Sequence, residues 1–157
     1  MKAYIELEKL AKSFERLPGV GKKTALRYAY AILEKYSDDE VNKLVSDITN
    51  FKNSISFCPI CGLISYNNEC DICLDNTRNN EKVLVVKDSK DAIVIEKTRA
   101  YNGLYHVLGS LISPIDGIGP DDINLDKLET RIINSKINEV ILAVPFNPNG
   151  ETTALYI

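Results

Sequence analysis

Cys58-Pro-Ile-Cys61 and Cys70-Asp-Ile-Cys73 place all four cysteines of this chain in one 16-residue span, with spacing Cys-x2-Cys-x8-Cys-x2-Cys. Two such knuckles can close a tetrahedral thiolate site around zinc, with bonds of about 2.3 Å. Disulfides are the alternative. A two-residue gap strains them, and a chain with no signal peptide at its start is expected in a reducing compartment. Four protein ligands leave no open position for water, so a zinc ion held by Cys58, Cys61, Cys70 and Cys73 would be structural, supplying folding energy that so short a segment cannot draw from a core. The sole histidine, His106, is not needed as a ligand and reads as a core or surface residue.

A second stretch has a different chemistry. Leu17-Pro-Gly-Val-Gly-Lys-Lys-Thr-Ala25 sets two glycines ahead of two lysines at the point where a helix should begin. Gly19 and Gly21 permit backbone angles and close approaches that side chains forbid, which leaves N–H groups exposed at a helix N-terminus. Lys22, Lys23 and Arg27 add positive charge beside those donors. Such contacts bind nucleic acid through its phosphates without reading bases. The pattern is that of a helix-hairpin-helix; a plain tight turn between two packed helices is the competing reading. Hairpins of this kind also pair subunits.

An enzymatic reading would need acids at strand ends to hold magnesium for phosphoryl chemistry. Here the first long apolar run ends Val86-Lys87-Asp88, with lysine where a Toprim-type enzyme would carry glutamate, and the last runs into Pro145-Phe-Asn-Pro-Asn149 without paired aspartates.

These residues need elements to position them. Ile5, Leu10, Phe14 and Leu17 follow helical spacing until Pro18-Gly19 stops the helix. The stripe restarts at Ala25, Tyr28, Ala29, Ile32, Leu33 and Tyr36. Ser37 and Glu40 form a capping-box pattern ahead of Val41, Leu44, Val45, Ile48 and Phe51, which predicts a third helix sharing one small core with the first two. Asn76–Asn80 reads as a linker after the cysteines. Val83–Val86 is a buried parallel strand, Asp88-Ser89 caps a helix to about Ala100, Leu104–Leu108 is a second strand, Leu125–Ser135 a helix and Glu139–Val144 a third strand. The alternation favours an α/β sheet. After an Asn149-Gly-Glu151 turn, residues 152–157 open a helix that ends on apolar residues, the pattern of a C-terminally truncated α/β domain.

The totals agree with a folded chain without a membrane span: 157 residues, 45% hydrophobic, 26% charged. The net charge of −3 is unevenly placed. Residues 1–36 carry eight Lys/Arg against four Glu, a balance of +4 that leaves −7 on the rest. A basic front module on an otherwise acidic chain suits nucleic-acid contact by that module.

Taken in order, the hairpin, the four-cysteine knuckle and the α/β segment resemble the RecR family of bacterial recombination mediators over essentially the whole chain. The stretches that carry the resemblance are LPGVGKKTALRYAYAIL (17–33), CPICG (58–62), CDIC (70–73), YNGLYHVLGSLISPIDGIGPDDI (101–123) and NGETTALYI (149–157). The resemblance implies an α+β multi-module chain: a helical helix-hairpin-helix domain over 1–53, a four-cysteine zinc finger over 54–76 and a Toprim-like α/β domain over 77–157, incomplete at its C-terminus. It implies a cytoplasmic, nucleoid-associated protein without catalysis. Such a protein binds single-stranded, gapped or duplex DNA irrespective of sequence, forms rings of its own copies, and works with RecO and RecF to help RecA replace single-strand-binding protein. By position, Gly19 and Gly21 shape the hairpin, Lys22, Lys23 and Arg27 face the DNA, and Cys58, Cys61, Cys70 and Cys73 hold zinc. Lys87 and Asn149 depart from the family's usual glutamates, and relatives continue past the end of this chain. A dimer rather than the tetrameric ring is therefore the expected assembly. Two other classes stand beside this one: a Toprim nuclease or primase, marked by magnesium-dependent chemistry, and a zinc-ribbon regulator, marked by dependence on base identity.

Overall fold

The computed structural model describes residues 2–157 and forms two compact units, residues 2–52 and 53–157.

In the first unit, α1 (Lys2–Glu15) and α2 (Lys22–Lys35) are joined by a tight hairpin in which Leu17 N–H donates to the Phe14 carbonyl and Val20 N–H to that of Leu17. Their shared core is made of small residues. Ala11, Ala25 and Ala29 are buried, with Leu7, Phe14, Val20 and Leu26 packed around them. Alanines at the seam let the two helix backbones approach closely. The Phe14 ring meets the Tyr28 edge at 5.8 Å. The third helix, α3 (Asp38–Ser54), forms where its cap predicts: Ser37 N–H donates to Glu40 Oε2 at 2.8 Å and Glu40 N–H returns to Ser37 Oγ at 3.3 Å. The expected three-helix core does not form. No α3 residue is buried, and Leu44, Val45, Ile48 and Phe51 are all exposed. Cap and periodicity are local properties of a helix, whereas what covers its stripe is not encoded within it.

The second unit opens with an antiparallel ribbon of β1 (Ser56–Phe57) and β2 (Ile64–Ser65), then a single turn, α4 (Asp71–Leu74). A parallel three-stranded sheet follows, ordered β4-β3-β5, with β3 (Asn79–Val86) in the middle, β4 (Gly103–Val107) on one side and β5 (Glu139–Ala143) on the other. Helices α5 (Ser89–Thr98) and α6 (Leu125–Asn134) make the crossovers, and α7 (Pro148–Tyr156) closes the chain. Val83–Val86 read as a continuous apolar run because both faces of β3 are covered. Leu84 and Val86 face the cysteines, Ala92 and Tyr105, while Val83 and Val85 face Leu108, Leu111, Ile123 and Leu128.

Two expected boundaries move. The linker is shorter than Asn76–Asn80, because Asn79 already belongs to β3 and donates its N–H to Asn102 O. The turn expected at Asn149–Glu151 lies inside α7, since the Asn147 side chain accepts from Gly150 N–H and so starts the helix at Pro148. Asp88 caps α5 as expected, accepting from Lys90 and Asp91 N–H.

Candidate metal centre and nucleic-acid hairpin

The knuckle is built against the open edge of the sheet. Edge strands expose unpaired backbone groups, and on β4 each outward carbonyl finds a side-chain donor. Arg78 Nε donates to Gly103 O at 2.9 Å, Arg131 Nη1 to Tyr105 O at 2.7 Å and Asn124 Nδ2 to Val107 O at 3.1 Å. The outward N–H of Val107 donates to the carbonyl of Cys61 at 2.7 Å, which seats the first knuckle on the strand end. Gly62 makes this approach possible. Its φ is +77°, and a Cβ there would lie 2.9 Å from Val107 O, so only glycine fits without displacing backbone.

Within this frame the four cysteine sulfurs lie within 4.8 Å of one another. Cys58 and Cys73 Sγ are 3.9 Å apart, and Cys61 and Cys70 Sγ 3.4 Å. Four sulfurs bonded tetrahedrally at about 2.3 Å to one ion would sit about 3.8 Å apart, so the donor set fits a metal. Cys58, Cys61 and Cys70 are buried and Cys73 is half-buried. Hydrogen bonding to Cys70, together with burial, pushes the Cys61 thiol far above its ordinary range, while the same shared hydrogen bond holds Cys70 low. Sulfurs this close cannot all ionise unless a cation stands between them. Among the described residues this is the one cluster of three or more His, Cys, Asp or Glu side chains placed to hold a metal.

His106 is a core residue. It is fully buried on β4, and its Nε2 donates to Asn124 O at 2.6 Å, while Nδ1 is buried without a partner. Lys87 ends up just past β3, half-exposed, its carbonyl accepting from Gly109 N–H. Asn149 lies in the first turn of α7, with Nδ2 donating to Ser113 Oγ at 3.1 Å.

In the first unit Gly19 takes φ +78°, a left-handed conformation that shapes the bend. Gly21 does not need glycine for its own backbone. Its φ is −82° and a Cβ there would meet nothing within 4 Å, so its value lies in the open space it leaves at the helix start. No side chain caps the first turn of α2 and no acid lies within it. Lys22, Lys23 and Arg27 are exposed, and among the described residues none of the three is in an ion pair.

The residues that sequence reasoning missed are Arg78, Asn124 and Arg131. Each is a polar residue off an apolar stripe, indistinguishable in sequence from a solvated one. Its acceptor is 17 to 26 residues away along the chain.

Fold and sites together define a helix-hairpin-helix protein that joins a four-cysteine centre to a Toprim α/β domain. Residues 7–51 match the model described as "RecR, helix-hairpin-helix" and residues 81–157 that of the Toprim domain. The chain is 46% identical over 151 residues to a protein of Streptococcus thermophilus and 47% identical over 152 residues to one of Streptococcus mutans, both named "Recombination protein RecR". A Lactococcus lactis protein of the same name is 44% identical over 151 residues. Each comparison spans 96% of this chain and 76% of the relative. The chain belongs to the RecR family.

Proposed function

We propose that this protein is a non-enzymatic mediator of recombinational repair that holds DNA by its phosphates at the α1–α2 hairpin. The observation that carries the reading is the conjunction at one helix start. Gly21 leaves open space over uncapped N–H groups, and three cations, Lys22, Lys23 and Arg27, with no ion-pair partner among the described residues, flank it. Uncapped amides and unpaired cations are the groups that phosphates replace counterions to meet. The four cysteines would hold one structural zinc, which the donor set and sulfur spacing favour. Asn149 is engaged by Ser113, and Lys87 brings positive charge where a metal-dependent enzyme needs acids, which supports a role without catalysis. Membership of the family supports partnership with RecO and RecF in loading RecA. The uncovered stripe of α3 supports pairing between copies of the chain.

The test is fluorescence anisotropy on single-stranded, gapped and duplex oligonucleotides across a salt series. Reversing charge at Lys22, Lys23 and Arg27 together should reduce the salt slope by about 2 to 3 and affinity at least tenfold, with sequence of little consequence. Unchanged affinity and slope would refute the hairpin assignment. Magnesium-dependent cleavage of the same oligonucleotides would refute the non-catalytic role.

A further inference from the structure

One side chain joins the sheet edge to the cysteine centre. Arg131, half-buried on α6 one turn beyond Leu128, donates through Nη1 to Tyr105 O at 2.7 Å and through Nη2 to Cys73 Sγ at 3.9 Å. No carboxylate competes for it: among the described residues Arg131 is in no ion pair. Its sulfur partner is the least buried of the four cysteines, half-buried at the margin of the cluster that holds the other three.

We infer that Arg131 is a positioning residue for the metal centre, pinning the Cys73 thiolate from a fixed point on β4 and setting how tightly the metal is held. The inference rests on the reading of the cysteines as a zinc site. Four thiolates around one divalent ion leave a net charge of about −2, which a half-buried site tolerates poorly without a nearby cation. A guanidinium hydrogen-bonded to one sulfur offsets part of that charge. It also holds in place the one ligand that water, protons or a chelator can reach. The planar fork matters as well as the charge. Two N–H arms serve two acceptors at once, a carbonyl oxygen and a sulfur, which a single ammonium cannot do with the same geometry. Partners of this kind, one bond beyond the ligands, typically change metal affinity by about 10- to 100-fold.

The experiment uses the whole chain loaded with zinc and titrated with a chromogenic chelator, alongside the rate at which iodoacetamide alkylates each cysteine, read by mass spectrometry. Arg131→Met should weaken zinc binding by about 10- to 100-fold and speed alkylation of Cys73 well beyond its rate in the natural chain. Arg131→Lys, which keeps the charge and loses the fork, should fall between this variant and the natural protein. Arg78→Met serves as the comparison, because Arg78 anchors the same strand at Gly103 O without touching a sulfur. Its zinc affinity should stay within about twofold of the natural chain, well inside the effect expected of a ligand's hydrogen-bond partner. Natural affinity in both Arg131 variants overturns the inference, as does an equal loss in Arg78→Met, which would mark the effect as general loosening. If Arg131→Met does not fold, Arg131→Lys decides. A natural chain that binds no zinc overturns the zinc reading itself and is distinguished at the first titration.

Discussion

Arg78 and Glu96 form a two-armed ion pair, Nη1 to Oε1 at 2.8 Å and Nη2 to Oε2 at 2.9 Å, while the remaining Nε of Arg78 holds the carbonyl of Gly103. The side chain of Arg78 is only 10% exposed, and its guanidinium lies over the Tyr105 ring. One residue beside the cysteine segment thus ties α5 to the first residue of the edge strand β4.

That pair makes stability depend on acidity. Hydrogen bonding to Arg78 holds the Glu96 carboxyl below the usual carboxylate range, so the unfolded chain takes up this proton first as pH falls. The stabilisation is therefore complete above about pH 4.5 and is lost as pH falls through the lower folded value. Urea denaturation from pH 6 to pH 3 should show this loss, and Glu96→Gln should flatten it. Arg78→Met should cost about 2 kcal/mol at neutral pH. A slope unchanged by Glu96→Gln would show that the pair contributes nothing.

His106 acts in a separate window. Burial lowers its pKa, and the imidazole is held neutral with Nε2 on the Asn124 carbonyl. Because the unfolded chain binds the proton more readily, stability should fall as pH drops below about 6.5 and continue falling until the folded value is passed. Since His106 is the only histidine, His106→Gln should reduce the slope between pH 7.5 and 5.5. A native imidazole that titrates normally by NMR would contradict this.

The two hairpin glycines should respond oppositely to alanine. Gly19→Ala forces a left-handed residue and should cost about 1 kcal/mol of stability. Gly21→Ala adds a methyl into open space at an ordinary φ, so stability should hold or rise slightly, by about 0.4 kcal/mol or more. DNA affinity should nonetheless fall in Gly21→Ala, if that space is where phosphate approaches. Thermal melts and anisotropy on the same two proteins separate these effects.

Metal removal should loosen the second unit selectively. Chelation, or Cys58→Ser, should release the seat of Cys61 on Val107 and raise amide exchange in β4 and the knuckles. Exchange in α1 and α2, whose core is Ala11, Ala25 and Ala29, should not change. Exchange measured by mass spectrometry with and without chelator reads both regions at once. Equal protection of β4 in the two states would count against a structural metal.

Local signals in the sequence hold where the chemistry is local. The Ser37–Glu40 capping box, the Asp88 cap and the doubly buried run Val83–Val86 each act within a few residues, and each appears where expected. The apolar stripe of α2 was less informative. Leu33 lies on it yet is 74% exposed, because the alanine seam at Ala25 and Ala29 brings α1 so close that the contact strip is narrow. The α7 start is hidden in the sequence because the Asn147 cap sits ahead of Pro148, and the Pro-Asn-Gly run that follows reads as a turn until the helix forms.

By itself the sequence determined which groups are available: four thiols at knuckle spacing, a glycine bend with cations beside it, and the periods that make helices and strands. These follow from backbone sterics and near-neighbour hydrogen bonds, which need only a few consecutive residues. Tertiary structure alone decided that Arg78, Asn124 and Arg131 cover the open edge of β4, that Arg131 reaches Cys73, and that α3 keeps its apolar face uncovered. Those outcomes depend on atoms far apart in the chain arriving within a few ångströms, and no spacing rule carries that information.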